Sequence, residues 1–177
     1  MASVDTMARR TARGAMVGAV VLTLALVTAC TPDPEPTPTP TGFASEEEAF
    51  AAAEATYRAY VDALNRSRTD ASAVPPPESF LSGDALTQSI EVDQQLADAG
   101  LQLVGPAVVI GIQGIEWRAE SASIGACMDY TEARVVDSAG TDVTPADRPN
   151  RASLIIEVVF AAPAPLIVQS NVGDQEC

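Results

Sequence analysis

The sequence has 177 residues and contains neither histidine nor lysine. Without histidine, the Ser-His-Asp and Cys-His arrangements of nucleophilic catalysis are excluded, as are acid-base pairs that depend on an imidazole. Basic charge comes from ten arginines alone, against 24 aspartates and glutamates, so the formal net charge is -14. A nucleic-acid partner requires a basic surface that neutralises phosphates. We therefore expect no nucleic-acid binding.

Metal-binding motifs are also absent from the sequence. The three cysteines lie far apart, with no CxxC pair and no EF-hand loop. The run Glu46-Glu47-Glu48 fans around the start of a predicted helix, where carboxylates stabilise the positive end of the helix dipole. The sequence therefore predicts no metal, no cofactor and no set of catalytic residues.

The N-terminus has the pattern of an export signal. Three arginines precede an uncharged stretch that begins at Gly14 and ends in Leu26-Val27-Thr28-Ala29-Cys30. This pattern resembles bacterial lipoprotein signals, in which an aliphatic residue and two small residues precede the cysteine that receives lipid. The resemblance implies that residues 1–29 are removed and that Cys30 is lipid-modified. We therefore expect the mature protein at the extracytoplasmic face of the cell membrane, held there by its lipid anchor.

Two alternatives remain open for this segment. Val27 and Ala29 also satisfy the ordinary signal-cleavage rule, which would give a secreted protein with a free Cys30. The uncharged stretch from Gly14 to Pro32 is long enough to be considered as a membrane-spanning anchor, although it is rich in Ala, Gly and Thr. Cysteine parity favours lipidation, because a modified Cys30 leaves Cys127 and Cys177 as an even pair.

Residues 30–44 form the second predicted segment, a lipidated cysteine followed by a Thr/Pro-rich tether. Residues 31–41 read TPDPEPTPTPT, with proline at alternate positions. Proline lacks the backbone donor and the φ freedom that regular structure requires. In a polyproline II conformation these residues would extend about 30 Å from the bilayer.

Residues 45–177 are long enough for one domain with a hydrophobic core. Ser45 and Glu48 form a capping box that predicts a helix to about Leu64. Asp84 is predicted to cap a second helix that runs to Ala99, with a buried face of Leu86, Ile90 and Leu96. From Leu101 onward the pattern alternates as in strands, with a turn predicted at residues 137–140 between 134–136 and 141–144. Gly111, Gly114 and Gly125 predict bulges or bends. We therefore expect an α+β domain with its helices on one face of a curved antiparallel sheet.

Three segments of this domain resemble a known family. They are AEATYRAYVDALN in the first helix, QQLADAGLQLVG at the helix-to-strand junction and ACMDYTEARVVDSAGTDV in the hairpin. Residues 43 to 177 resemble small actinobacterial lipoproteins whose domain has the nuclear-transport-factor-like cone fold. That superfamily includes isomerases, dehydratases, carriers and interaction modules. The resemblance also implies a disulfide between Cys127 and Cys177, the same pair that parity leaves.

The candidate pocket residues are Tyr57, Tyr60, Trp117 and Asp129. Isomerases of this fold combine an Asp base with a Tyr on the first helix in an apolar funnel. However, Asp129 shares a strand face with Cys127, so it is expected to face the C-terminal tail. We interpret the four residues as structural. The predicted function is a non-enzymatic domain that binds an envelope protein or a small apolar ligand; the alternative is a cone-pocket enzyme of the isomerase or dehydratase type, or a carrier.

Overall fold

The computed structural model describes residues 43–161 and 163–177. The predicted signal peptide, Cys30 and nearly all of the tether lie outside the described residues. The helices are α1 (Glu46–Ser67) and α2 (Gly83–Asp98), with a short 3-10 helix at Pro77–Phe80 between them. The strands are β1 (Leu101–Val104), β2 (Val108–Arg118), β3 (Ser121–Asp129), β4 (Arg134–Asp137), β5 (Arg151–Val159) and β6 (Leu166–Val172).

Helix α1 begins where the capping box predicts. The Ser45 Oγ accepts a hydrogen bond from the Glu48 amide at 3.2 Å, and the Glu48 carboxylate accepts one from the Ala44 amide. The helix continues three residues beyond the predicted Leu64. Four of its five buried residues recur at every fourth position, which places them on one face: Ala49, Ala53, Tyr57 and Val61.

Helix α2 differs from the prediction at its start and on its inner face. It begins at Gly83 after Ser82, so Asp84 lies in its first turn and is not its cap. Ala85 is its one buried residue, and the side chain of Ile90, predicted to be buried, is 43% exposed. The reason is that α2 packs mainly against the edge strand β6 and the short β1, which cover only part of its apolar surface.

The strands form two antiparallel sheets among the described residues. One has four strands in the order β2-β3-β5-β6, and the other is a ribbon of β1 and β4. The turn predicted at residues 137–140 is confirmed: the Asp137 amide donates to the Thr141 carbonyl, the Val143 amide donates to the Val135 carbonyl, and Val136 forms an antiparallel bridge with Asp142. However, β4 pairs along its length with a different strand, β1. The two short strands meet because the chain between them folds back, a long-range pairing that no local pattern indicates.

The four-stranded sheet has two distinct faces. Its inner face carries alternate residues of β3 and β5, which are fully buried in the hydrophobic core: Ala122, Ile124, Ala126, Met128, Ile156 and Val158. The outer face carries the intervening residues, including Gly125, Cys127 and Asp129. Register shifts in β2 next to Gly111 and Gly114 match two of the three predicted bends, whereas β3 pairs regularly through Gly125. The architecture is therefore α+β, with an open antiparallel sheet.

Candidate functional site

The three tyrosines of the chain lie close together beside the inner face of the sheet. Tyr57 is 2% exposed, and its ring centroid lies 6.1 Å from that of Tyr60 on the next turn of α1. Tyr130, directly after β3, packs against the same core. Tyr130 is not among the predicted pocket residues, although its alternation with Ile124, Ala126 and Met128 is a signal that places it on the same face.

Burial keeps these hydroxyls protonated. It raises the pKa of Tyr57 and, together with the nearby Tyr130 and Asp93, raises the pKa of Tyr60 to about 12. Burial also raises the pKa of Tyr130, against the opposing effect of Arg68 and Arg148. Chemically, neutral phenols can donate hydrogen bonds to a carbonyl oxygen, but they are poor general acids at neutral pH.

Two arginines hold the loops around the tyrosines. The Arg68 Nη1 donates to the Gly105 carbonyl at 2.8 Å, and the Arg148 Nη2 donates to the carbonyls of Tyr130 and Ala133 at 2.9 and 2.8 Å. Gly105 has a positive φ of 76°, and its Cα lies so close to the Glu132 carbonyl that no side chain would fit. Both guanidinium groups therefore fix the junction between the ribbon and the four-stranded sheet. No local sequence signal identifies them.

Asp129 lies on the opposite face of the sheet from the tyrosines. Its carboxylate accepts a hydrogen bond from the Thr131 amide at 2.8 Å and lies 3.7 Å from the Arg151 Nε. The bonds from Thr131, with a smaller contribution from Arg151, lower the pKa of this carboxyl. Asp129 is thus a turn-stabilising, ion-paired carboxylate, in the position that its strand parity with Cys127 predicted.

The C-terminal residues 173–177, which we call the tail, lie along the outer face. The Cys127 and Cys177 sulfurs are at disulfide distance, with the two Cα atoms 5.5 Å apart. The Gly173 amide donates to the Ser153 carbonyl at 2.8 Å, and the Gln175 side chain is hydrogen-bonded to Gln113. The cysteines that the sequence pairs are therefore placed together, next to Asp129 and Arg151.

Trp117 belongs to another part of the domain. It pairs with Ala122 near one end of the β2-β3 hairpin, whereas Asp129 pairs with Val108 at the other end. Seven residues along β3 separate these two rungs, roughly 23 Å at the rise of an antiparallel strand. The indole Nε1 is buried without a hydrogen-bond partner. The four predicted pocket residues therefore lie in three separate parts of the domain. Among these four residues, only Tyr57 and Tyr60 are neighbours.

The acidic residues do not converge on a cation site in the described part of the chain. Residues 43–161 and 163–177 contain no group of three or more His, Cys, Asp or Glu placed to hold a metal ion. Within the same ranges, neither α1 nor α2 combines the length and hydropathy needed to cross a bilayer.

Comparisons with known proteins do not assign the chain to a family. No family model and no curated protein matches it. Among solved structures it is similar to the intermembrane space region of the chloroplast protein ARC6, with a TM-score of 0.49 and 12% sequence identity over 70% of this chain and 95% of that one. A likeness this distant identifies neither a family nor an activity.

Proposed function

We propose that the chain is a lipid-anchored protein of the cell envelope whose domain, residues 45–177, acts by binding and not by catalysis. Cys30 would carry the lipid, and residues 30–44 would hold the domain away from the bilayer. The pairing of Cys127 with Cys177 supports an oxidising, extracytoplasmic location, because such bonds rarely persist in a reducing cytosol. It also leaves Cys30 as the one cysteine available for modification.

One observation carries the choice of binding over catalysis. The tyrosines and Asp129, which an isomerase of the cone fold would bring together, lie on opposite faces of the sheet. The inner face is filled by α1, whose Ala53, Tyr57 and Val61 are packed against it. A partner is therefore more readily bound at the surface than within the domain.

We further propose the cone variant of the α+β fold. Its support is the arrangement of the helices on one face of an antiparallel sheet, together with the two bulges that bend β2. This finer assignment rests on the sequence resemblance and on those bends.

The second candidate function is a cone-pocket enzyme of the isomerase or dehydratase type, or a carrier of a small apolar ligand. The cluster of Tyr57, Tyr60 and Tyr130 favours it, because three neutral hydroxyls beside an apolar core could orient a carbonyl group. Turnover of an enolisable substrate that Tyr57→Phe or Asp129→Asn abolished, with the melting temperature unchanged, would establish this alternative.

The anchoring proposal is tested with Cys30→Ala in the full chain, expressed in a bacterial host that lipidates exported proteins. The parent should partition into the detergent-rich phase and Cys30→Ala into the aqueous phase, since two or three acyl chains anchor durably. Cys127→Ser/Cys177→Ser is the matched control and should partition like the parent. Membrane fractionation of Cys30→Ala equal to that of the parent would contradict the lipoprotein assignment.

A further inference from the structure

The edge strand β2 and helix α1 together border an open cleft. β2 is the outermost strand of the four-stranded sheet, and among the described residues β3 is its one strand partner. An unpaired edge presents backbone N–H and C=O groups that another extended chain can bind. Three apolar side chains of this strand are nearly half exposed: Val108 at 48%, Ile110 at 46% and Ile115 at 45%.

Two depressions lie along the α1 side of this edge. The first, of about 450 Å³, is lined by the first turns of α1, including Phe50, whose ring lies against Gly114 of β2. The second, of about 330 Å³, lies between Asp62 and Asn65 of α1 and the first residues of β2, Val108 and Val109. We call the exposed edge of β2 together with these two depressions the edge cleft.

The edge cleft has an acidic rim. Glu46, Glu47, Glu54 and Asp62 line its two depressions, in which Arg58 is the one basic residue. Arg118, at the end of β2, is paired with Glu116. The Arg58 Nε already pairs with the Glu54 carboxylate at 2.8 Å. An occupant that carries basic side chains would therefore meet complementary charge along the α1 side of the cleft.

We infer that the edge cleft binds an extended segment of a partner protein in which apolar and basic residues alternate, added as a strand to β2. This inference rests on the proposed binding function and specifies its partner. The apolar side chains would contact Val108, Ile110 and Ile115, and the basic ones would face the α1 carboxylates. Bulges at Ile110 and Ile115 leave Gly111–Gly114 as the regular stretch, so the paired segment is short and its affinity moderate.

Other occupants fit this charge less well. A second copy of the chain would bring an identical acidic rim against the first. The chain's own tether, TPDPEPTPTPT, carries Asp33 and Glu35 and no basic residue. Both are therefore outcomes that the test must distinguish from a basic partner segment.

The test uses the full chain and a synthetic dodecapeptide of alternating Arg and Val, with a Glu/Val peptide of the same length as control. We expect saturable binding of the Arg/Val peptide by fluorescence anisotropy and slower hydrogen exchange at residues 110–115. Asp62→Lys should weaken binding by about fivefold, since it reverses one rim charge. Glu91→Lys makes the same change on the exposed side of α2, away from the cleft, and should bind like the parent.

Four results would overturn the inference. They are equal binding of the Glu/Val peptide, equal weakening by Asp62→Lys and Glu91→Lys, protection confined to residues outside β2, and self-association of the parent that protects residues 110–115 without peptide. None of them bears on detergent partitioning of Cys30→Ala. Failure of the cleft and failure of the anchor can therefore be told apart.

Discussion

Gly114 of β2 lies directly beneath the Phe50 ring of α1. A Cβ atom built there would overlap the ring of Phe50, so the ring lies directly on the backbone of β2. Phe50 is half-buried and belongs to the layer that covers the core. The contact therefore fixes the N-terminal half of α1 against the edge strand and shapes one of the two depressions of the edge cleft.

We expect Gly114→Ala to lower the free energy of unfolding by about 1–3 kcal/mol, because Phe50 must leave its place. Gly111→Ala is the matched control in the same strand, since its Cβ would meet the Cys127 Cβ at an ordinary 3.9 Å. That change should be neutral or slightly stabilising. Urea unfolding of both variants measures the difference. Equal free energies would show that Phe50 does not pack on Gly114.

Tyr60 should make stability sensitive to alkaline pH. Its pKa is raised from 10.0 to about 12, so the folded state retains a proton that the unfolded state loses. The contribution is fully present below pH 10 and is lost as the pH rises through about 12, with an upper size of roughly 3 kcal/mol. Tyr60→Phe should flatten the fall in the free energy of unfolding across this window. An unchanged alkaline slope in the variant would contradict the burial of this hydroxyl.

Among the helices and strands, local sequence patterns predicted those features that depend on residues close together along the chain. The capping box and the three- and four-residue spacing of apolar residues from Phe50 to Leu64 identify α1, because a helix is defined by contacts three and four residues apart. Alternation in β3 likewise identifies its buried face, and with it the outward position of Asp129. The N-cap of α2 differs from the prediction by two residues, Ser82 in place of Asp84, because the chain turns at Gly83, which has φ 55°.

The sequence did not predict which elements distant along the chain pack against each other. The pairing of β4 with β1 depends on a fold-back of the intervening chain, and the exposure of Ile90 depends on how little of the sheet α2 covers. The grouping of Tyr130 and Arg68 with the α1 tyrosines has the same origin. Arg68 is the C-cap of α1 and Tyr130 follows β3, so only the packed domain brings them together.

The pairing of Cys127 with Cys177, which holds the tail on the sheet, can be tested directly. Cys127→Ser/Cys177→Ser should lower the free energy of unfolding by about 4 kcal/mol in the chain-entropy model, given a sequence separation of 50. Exchange of the Gly173 amide should accelerate, whereas the amides of α1 should exchange as in the parent under native conditions. Peptide mapping without reductant should recover residues 127 and 177 in one linked fragment from the parent. Two free thiols there would contradict the pairing.

The whole molecule carries a large excess of negative charge. The chain carries a formal net charge of -14, and six of the seven arginines in the described residues are already engaged. Four of them pair with carboxylates: Arg58, Arg118, Arg134 and Arg151. The other two, Arg68 and Arg148, donate hydrogen bonds to backbone carbonyls. The four ion pairs are largely solvent-exposed and so contribute little each. Repulsion among the remaining carboxylates is therefore the dominant electrostatic effect on the folded domain.

This balance predicts that salt stabilises the protein. Raising sodium chloride from about 0.01 M to about 0.15 M shortens the screening length from about 30 Å to about 8 Å, which weakens repulsion between distant carboxylates more than contact ion pairs. We expect a rise in melting temperature of about 4 °C, or roughly 1 kcal/mol for a domain of this size. Glu91→Lys/Asp98→Lys places positive charge on α2, a helix with four acids and no base, and should reduce the dependence on salt. If the melting temperature falls as salt is added, the ion pairs outweigh the repulsion between carboxylates. The acidic rim of the edge cleft would then be less exposed to solvent than its geometry indicates.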